Sequence, residues 1–361
     1  MSGSIDGPRV TFLLPGNGQQ PVGGYKVVYE YANGLSRRGW RVTVSHVIRF
    51  ERPSYNSRAL RSNRGLPVRP SRPVWFPLDK AVRSLQWAGW NQFVVRHEDA
   101  VVATAWQTAE GLGPDPRGLY LIQGYETWHG PVDRVDATWR LPLRKLVISG
   151  WLAEKADELG AGPVTMVPNA IDTEVFNMDV APEDRSSEEI VMLWANVEWK
   201  GSKDGLEALR AVKATRPRLH VTLFSTVKPP EELPTWITFI PNATQRQLRG
   251  IYNRAAVFVS PSHTEGWALP PAESMACGAA LVSTDIGGVR DYALNGETAL
   301  LTPIKNPRQM ATNINRLLDD SNLRVKIARA GHELIVGKFK WDRSIDIMDA
   351  EIRRVIRSVD S

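Results

Sequence analysis

The sequence predicts an α/β protein made of two Rossmann-like domains, each a doubly wound parallel sheet. Short β-branched runs alternate with helical stripes, the pattern of parallel strands covered by helices. The alternation comes in two series, parted by FNMDVAPEDRSSEE (176–189), which is acidic, polar and proline-containing, as an interdomain linker is. At 361 residues the chain is long enough for two domains that each bury a core.

The first series gives strands at RVTFLL (9–14), RVTVSHV (41–47), AVVATA (100–105), LYLIQ (119–123), KLVIS (145–149) and TMVPN (165–169). Between the first two lies YKVVYEYANGLSRRG (25–39), where Val27, Val28, Tyr31, Ala32 and Leu35 form one helical stripe. The second series runs IVMLWA (190–195), LHVTLFS (219–225), WITFI (236–240), AAVFVS (255–260), ALVSTD (280–285) and ALLTP (299–303). The domains this predicts are 1–180 and 188–339. Beyond Pro307 the chain reads as helices, the last being 341–359 with Ile345, Met348, Ile352, Ile356 and Val359 on one face.

Lysine and arginine number 45 against 39 acidic residues, a net charge of +6. The segment 49–72, with seven arginines and one glutamate, alone carries a net +6. A charge this local argues against a nucleic-acid coat and for one local anionic partner. A solubilising loop is the equal alternative. Cys277 is the single cysteine, which excludes an intrachain disulfide and a cysteine metal cluster and suits a small core residue. Neither a signal pattern nor an apolar span long enough for a bilayer is present, so the expected location is cytoplasmic, with 49–72 available to touch the inner membrane face.

The chemistry concentrates in FVSPSHTEGWALPPAESMACGAALVSTDIGGVRDYALNGETALLT (258–302). Glu265 falls in a loop after a buried strand, and Glu273 falls in a helix expected over 270–277, begun by Pro270 and Pro271 and stopped at Gly278. A further helix is expected to open at Gly287 and Gly288. Strand carboxyl ends and helix amino ends meet at these loops, where free N–H groups favour phosphate. Two carboxylates beside a diphosphate do not help by charge, so they accept hydrogen bonds from hydroxyls, as on a sugar and a ribose.

With its Glu-x7-Glu spacing, EGWALPPAESMACGAALVSTDIGG (265–288) resembles the donor-site signature of the family-4 retaining glycosyltransferases, part of group 1 and of the GT-B fold. The resemblance implies a deep interdomain cleft and a nucleotide diphosphate sugar as donor substrate, with no cofactor. It implies that Glu265 lies by the donor sugar hydroxyls, that Glu273 binds the ribose diol, and that backbone N–H groups near Trp267, Ala268 and Leu269 hold the diphosphate. It also implies that 340–361 packs back on the first domain, the acceptor-binding one, where the anionic partner of 49–72 would be an anionic acceptor, a lipid diphosphate or an anionic membrane surface.

Other stretches extend the likeness. PGNGQQPVGGYKVV (15–28) resembles the opening of the same family, and its Gly23 and Gly24 precede a helix where bare backbone can approach a phosphate. WANVEWKGSKDGLEAL (194–209) matches the family's Lys-Gly at Lys200 and Gly201, making Lys200 the first candidate for the diphosphate and Lys203 the second. Ala195 and Asn196 stand where the family places an arginine. VPNAIDTEVF (167–176) resembles the interdomain turn, with Asn169 and Asp172 expected to bond its backbone. LIQGYETWHG (121–130) is similar to a loop of a bacterial rhamnosyltransferase branch, which makes Glu126 and His129 candidates for acceptor or catalytic contact; His263 is a further one.

The expected activity is metal-independent, retaining transfer of a sugar to a cell-envelope glycan, a lipid-linked acceptor or a small molecule. An epimerase or phosphorylase of the same fold, and an idle sugar-nucleotide-binding protein, are the alternatives.

Overall fold

A computed structural model of the chain describes residues 7–48, 68–90, 94–128, 130–229 and 233–360. They form two compact units, one of 1–148, 152–168 and 341–361, the other of 149–151 and 169–340.

The first unit contains β1 (Arg9–Pro15), α1 (Gly23–Arg37), β2 (Arg41–Val47), β3 (Val68–Pro70), β4 (Arg83–Trp87), β5 (Ala100–Ala103), α2 (Trp106–Leu112), β6 (Gly118–Ile122), α3 (Val132–Trp139), β7 (Arg144–Val147), most of α4 (Gly150–Glu158) and β8 (Val164–Met166). Its strands lie in the order β3-β4-β2-β1-β5-β6-β7-β8, all parallel except that β3 runs antiparallel to β4. β5 and β6 are buried throughout, which is why they read as unbroken apolar runs. β4, with Arg83 and Gln86 among its five residues, carries no such run, and neither it nor β3 stands out in the sequence.

The second unit contains β9 (Glu189–Leu193), α5 (Ser202–Thr215), β10 (His220–Ser225), β11 (Ile237–Pro241), α6 (Gln245–Arg254), β12 (Val257–Ser260), α7 (Leu269–Ala276), β13 (Ala280–Thr284), β14 (Ala299–Thr302), α8 (Pro307–Asp319) and α9 (Ser321–Lys338). The sheet is parallel, in the order β11-β10-β9-β12-β13-β14. The order turns at β9 and β12, so the loops after those two strands leave in opposite directions and open a crevice at their carboxyl ends.

The last helix, α10 (Trp341–Asp360), belongs to the first unit. Ile345, Met348 and Ile352 are buried, and Gly34 of α1 leaves the space that Ile345 fills. The apolar stripe ends earlier than its spacing suggested, because Val359 is exposed. Glu351, almost fully buried, pairs with Arg144 of β7 at 2.5 Å and Arg354 at 2.6 Å. These contacts fix the helix both along and around its axis.

The segment 176–189 is not a loose linker. The chain passes between units at Pro168 and Asn169, and Phe176 is fully buried in the second. Arg185 is 6% exposed and donates to the carbonyls of Val180, Tyr252, Ala255 and Cys277. Burial pulls its guanidinium down to about 10. The acidic, polar composition therefore coats a segment pinned from within by one arginine. In the turn before it, Asp172 accepts the N–H groups of Glu174 and Val175 at 3.0 and 3.2 Å, as expected of a turn carboxylate. The Asn169 side-chain oxygen is buried and accepts no hydrogen bond. Cys277 is buried, and its surroundings push the thiol up to about 12.

Candidate functional site

Two segments of the second unit build the site. β9 ends at Leu193, and the chain makes a 3-10 turn (Glu198–Lys200) that stops at Gly201, whose φ of 59° is left-handed. A side chain there would fall on the carbonyl of Pro261, so only glycine lets the two segments approach. β12 ends at Ser260 and leads into Pro261, Ser262, His263, Thr264 and Glu265. Thr284 of β13 donates to the carbonyl of Ser262 and anchors that loop.

Lys200 Nζ meets Glu265 Oε1 at 2.6 Å, and Ser262 Oγ donates to the same oxygen at 2.8 Å. The lysine and glutamate side chains are 26% and 16% exposed, so the pair is shielded yet reachable. They line a recess with Leu193, Phe258, Pro261, Pro270 and Pro271. The diphosphate candidate and the sugar candidate of the sequence thus touch directly. Lys203, exposed on α5, is not among the lining residues.

α7 starts at Leu269 and its first turn contains Pro270 and Pro271, which have no N–H to give. Ala268 N–H is spent on Gly288 O at 3.1 Å, which corrects its assignment as a phosphate donor. Of the first-turn amides, that of Leu269 precedes any helical carbonyl four residues back. Trp267 is buried against Tyr292 and Phe339, with ring centroids 4.9 and 5.4 Å away. Glu273 lies one turn into α7, 5% exposed, with Tyr252 Oη 3.5 Å from Oε2. Gly287–Val289 is a single 3-10 turn rather than the opening of a longer helix. Its Gly288 sits where an added Cβ would lie 2.5 Å from the Glu265 carbonyl and 2.6 Å from its Cβ. Ala195 donates its N–H to Ser202 Oγ at 2.9 Å, and Asn196 accepts from the Trp194 indole at 2.9 Å. Both residues in the place of the family arginine are thus occupied in shaping the turn.

Within the first unit, Gly23 and Gly24 open α1. Glu126 Oε2 accepts the Trp106 N–H at 2.8 Å, at the start of α2. Burial pushes this carboxyl up to about 7, with the Trp106 N–H opposing. The position holds a helix start, a role that its setting in an aromatic loop did not announce. Tyr125 donates to Asp136 at 2.8 Å. His129 and residues 49–67 lie outside the described residues. Arg72 donates to the carbonyls of Leu78, Asp79 and Val82 at 2.5, 2.7 and 2.9 Å, so it organises a turn. Among the described residues, no helix is long and apolar enough to cross a membrane, and no group of three or more His, Cys, Asp or Glu is placed to hold a metal ion.

The model of the family glycosyl transferases group 1 matches residues 177–334. A D-inositol 3-phosphate glycosyltransferase of Xylanimonas cellulosilytica is 28% identical over 262 residues, which cover 71% of this chain and 57% of that protein. The chain spans 24% to 57% of the length of the first curated relatives it matches. Among solved structures, sucrose-phosphate synthase from Thermosynechococcus elongatus superposes with a TM-score of 0.76 at 17% identity, covering 97% of this chain and 100% of that one. Anabaena HepE in complex with UDP-glucose gives 0.69 at 13% identity, covering 98% and 99%. The matched stretch lies within the second unit and contains Lys200, Glu265 and Glu273; over it the chain is similar to the group 1 glycosyltransferases, and its fold is GT-B.

Proposed function

We propose that the protein transfers a sugar from a nucleotide diphosphate sugar to an acceptor hydroxyl, with retention at the anomeric carbon and without a metal ion. The Lys200–Glu265 contact carries this reading. A cation for the leaving diphosphate and a carboxylate for sugar hydroxyls stand side by side in one recess. Both contacts of Glu265 fall on Oε1, which leaves Oε2 to accept from the donor sugar. Glu273 takes the ribose diol, and Leu269 N–H adds to Lys200 at the diphosphate. Attack from the leaving-group face lets the departing phosphate accept the acceptor proton, so no protein nucleophile is needed. The acceptor, a glycan, a lipid-linked sugar or a small molecule, is assigned to the first unit by resemblance. HepE, crystallised with UDP-glucose, supports a nucleotide sugar as the donor class.

Calorimetry with uridine, guanosine, adenosine and thymidine diphosphates on wild type, Lys200→Ala and Lys203→Ala is the test. Lys200→Ala should weaken the bound diphosphate by about 1.5–3 kcal/mol while sparing the matching nucleoside, and Lys203→Ala should do neither. Absence of binding by all four would remove the reading. The substitution of the family arginine by Ala195 or Asn196 favours one second reading, an idle sugar-nucleotide binder. Binding with no donor turnover over a panel of acceptors would establish it.

A further inference from the structure

Lys200 has to be held in place by something other than the ligand, since a lysine is a flexible four-carbon stem carrying a point charge. The turn that bears it is short, and its own hydrogen bonds are those of one 3-10 turn. What fixes it against the Glu265 loop is His263. The His263 N–H donates to the carbonyl of Trp199, the residue before Lys200, at 2.7 Å. The His263 ring nitrogen Nε2 meets Asp204 Oδ2, on the first turn of α5 just beyond Lys200, at 2.7 Å. One residue therefore grips the lysine-bearing segment on both sides, by backbone and by side chain. The grip is enclosed, with the His263 and Asp204 side chains 13% and 28% exposed. Gly201, pressed on Pro261, closes the gap between the two holds.

We propose that the His263–Asp204 pair is a positioning device that sets Lys200 against Glu265. Resting on the nucleotide-sugar reading above, the inference makes His263 part of the diphosphate grip rather than an acceptor contact. It also gives Asp204 a task that neither its charge nor its place on α5 suggests. Removing the ring leaves the backbone bond but frees α5 from the loop, so the lysine can leave the carboxylate.

The first measurement needs no nucleotide. Acetylation of lysines by an activated ester is followed by peptide mass spectrometry, with Lys203 as the internal reference. An amine held against a carboxylate within the recess is shielded from the reagent, and once released it reacts faster. His263→Ala and Asp204→Ala should raise the Lys200 to Lys203 rate ratio toward that of Glu265→Gln, by about tenfold. His263→Gln, whose amide can still donate to Asp204, should stay near wild type. An unchanged ratio in His263→Ala, in protein with wild-type melting temperature, would overturn the proposal. The second measurement is calorimetry with uridine and adenosine diphosphate. His263→Ala should weaken the diphosphate about tenfold, spare the nucleoside, and have no further effect in a Lys200→Ala background. Additive losses would mean that His263 acts elsewhere and would also overturn it. A raised Lys200 rate with unchanged diphosphate affinity would uphold the positioning pair and remove the nucleotide reading instead.

Discussion

Glu265 and Glu273 differ in what surrounds them, and the difference separates their expected effects. Glu265 shares one oxygen with Lys200 and Ser262 at the recess, whereas Glu273 is enclosed within α7 near Tyr252. Glu273→Gln should weaken a bare nucleoside diphosphate by about 1.5–3 kcal/mol if, as proposed, Glu273 takes the ribose diol. Glu265→Gln should lower sugar-nucleotide turnover, and any loss of diphosphate affinity, acting through the released Lys200, should vanish in a Lys200→Ala background. Equal diphosphate affinities for wild type and Glu273→Gln in a calorimeter would withdraw the ribose assignment. Glu126 offers a test of a different kind. Its carboxyl, ordinarily near 4.5, is raised to about 7, so the folded chain keeps a proton that the unfolded chain gives up as pH rises through that window. Stability contributed at this position is therefore highest below 4.5 and is lost on the way to 7, and Glu126→Gln should gain on wild type by on the order of 2 kcal/mol between these limits. Unfolding midpoints of the two proteins that keep a constant gap across pH would contradict the raised carboxyl. Glu265, Glu273 and Lys200 were singled out in the sequence by the resemblance of their local strand, loop and helix patterns to a family signature, and the structure brings Lys200 and Glu265 into contact. The bond from Ala268 to Gly288, the helix-start role of Glu126 and the carbonyl contacts of Arg72 were not, because each partner lies in a separate stretch of chain.

At the level of elements, the turn Gly287–Val289 supports the Glu265 loop from behind. Its carbonyl at Gly288 takes the Ala268 N–H, and its missing side chain admits the Glu265 backbone. Gly288→Ala should push that backbone aside, because the new carbon would lie 2.5 Å from a carbonyl oxygen that has no rotamer to escape into. We expect a fall in sugar-nucleotide turnover of about tenfold or more, since misplacement near 1 Å costs up to a hundredfold. The change should leave β13 and α8 intact by hydrogen exchange. Wild-type turnover in Gly288→Ala would show that the loop has slack. The strands of both sheets were readable because buried parallel strands are written as continuous apolar runs. β3 and β4 were hidden because they sit at a sheet edge and depend on their neighbours more than on their own residues. The 176–189 segment misled for the opposite reason: its composition is that of a linker, and a single internal arginine decides its fate.

For the molecule as a whole, the family match covers the second unit, and the expected chemistry rests on organic groups there: one lysine, two carboxylates and a helix start. Transfer should accordingly persist after exhaustive chelation. Complete loss with a chelator, restored by magnesium or manganese, would mean that an ion performs the task given to Lys200. The placement of α10 has a consequence in time rather than in space. Protein synthesis runs from the amino end, and domains tend to fold in the order they emerge. Here the first unit to leave the ribosome is missing the helix that supplies Ile345, Met348 and Ile352, together with the carboxylate for Arg144, until all of the second unit has been made. The later-made unit can finish first, while the earlier one waits with the part of α1 around Tyr31 and Gly34 uncovered until α10 has been made.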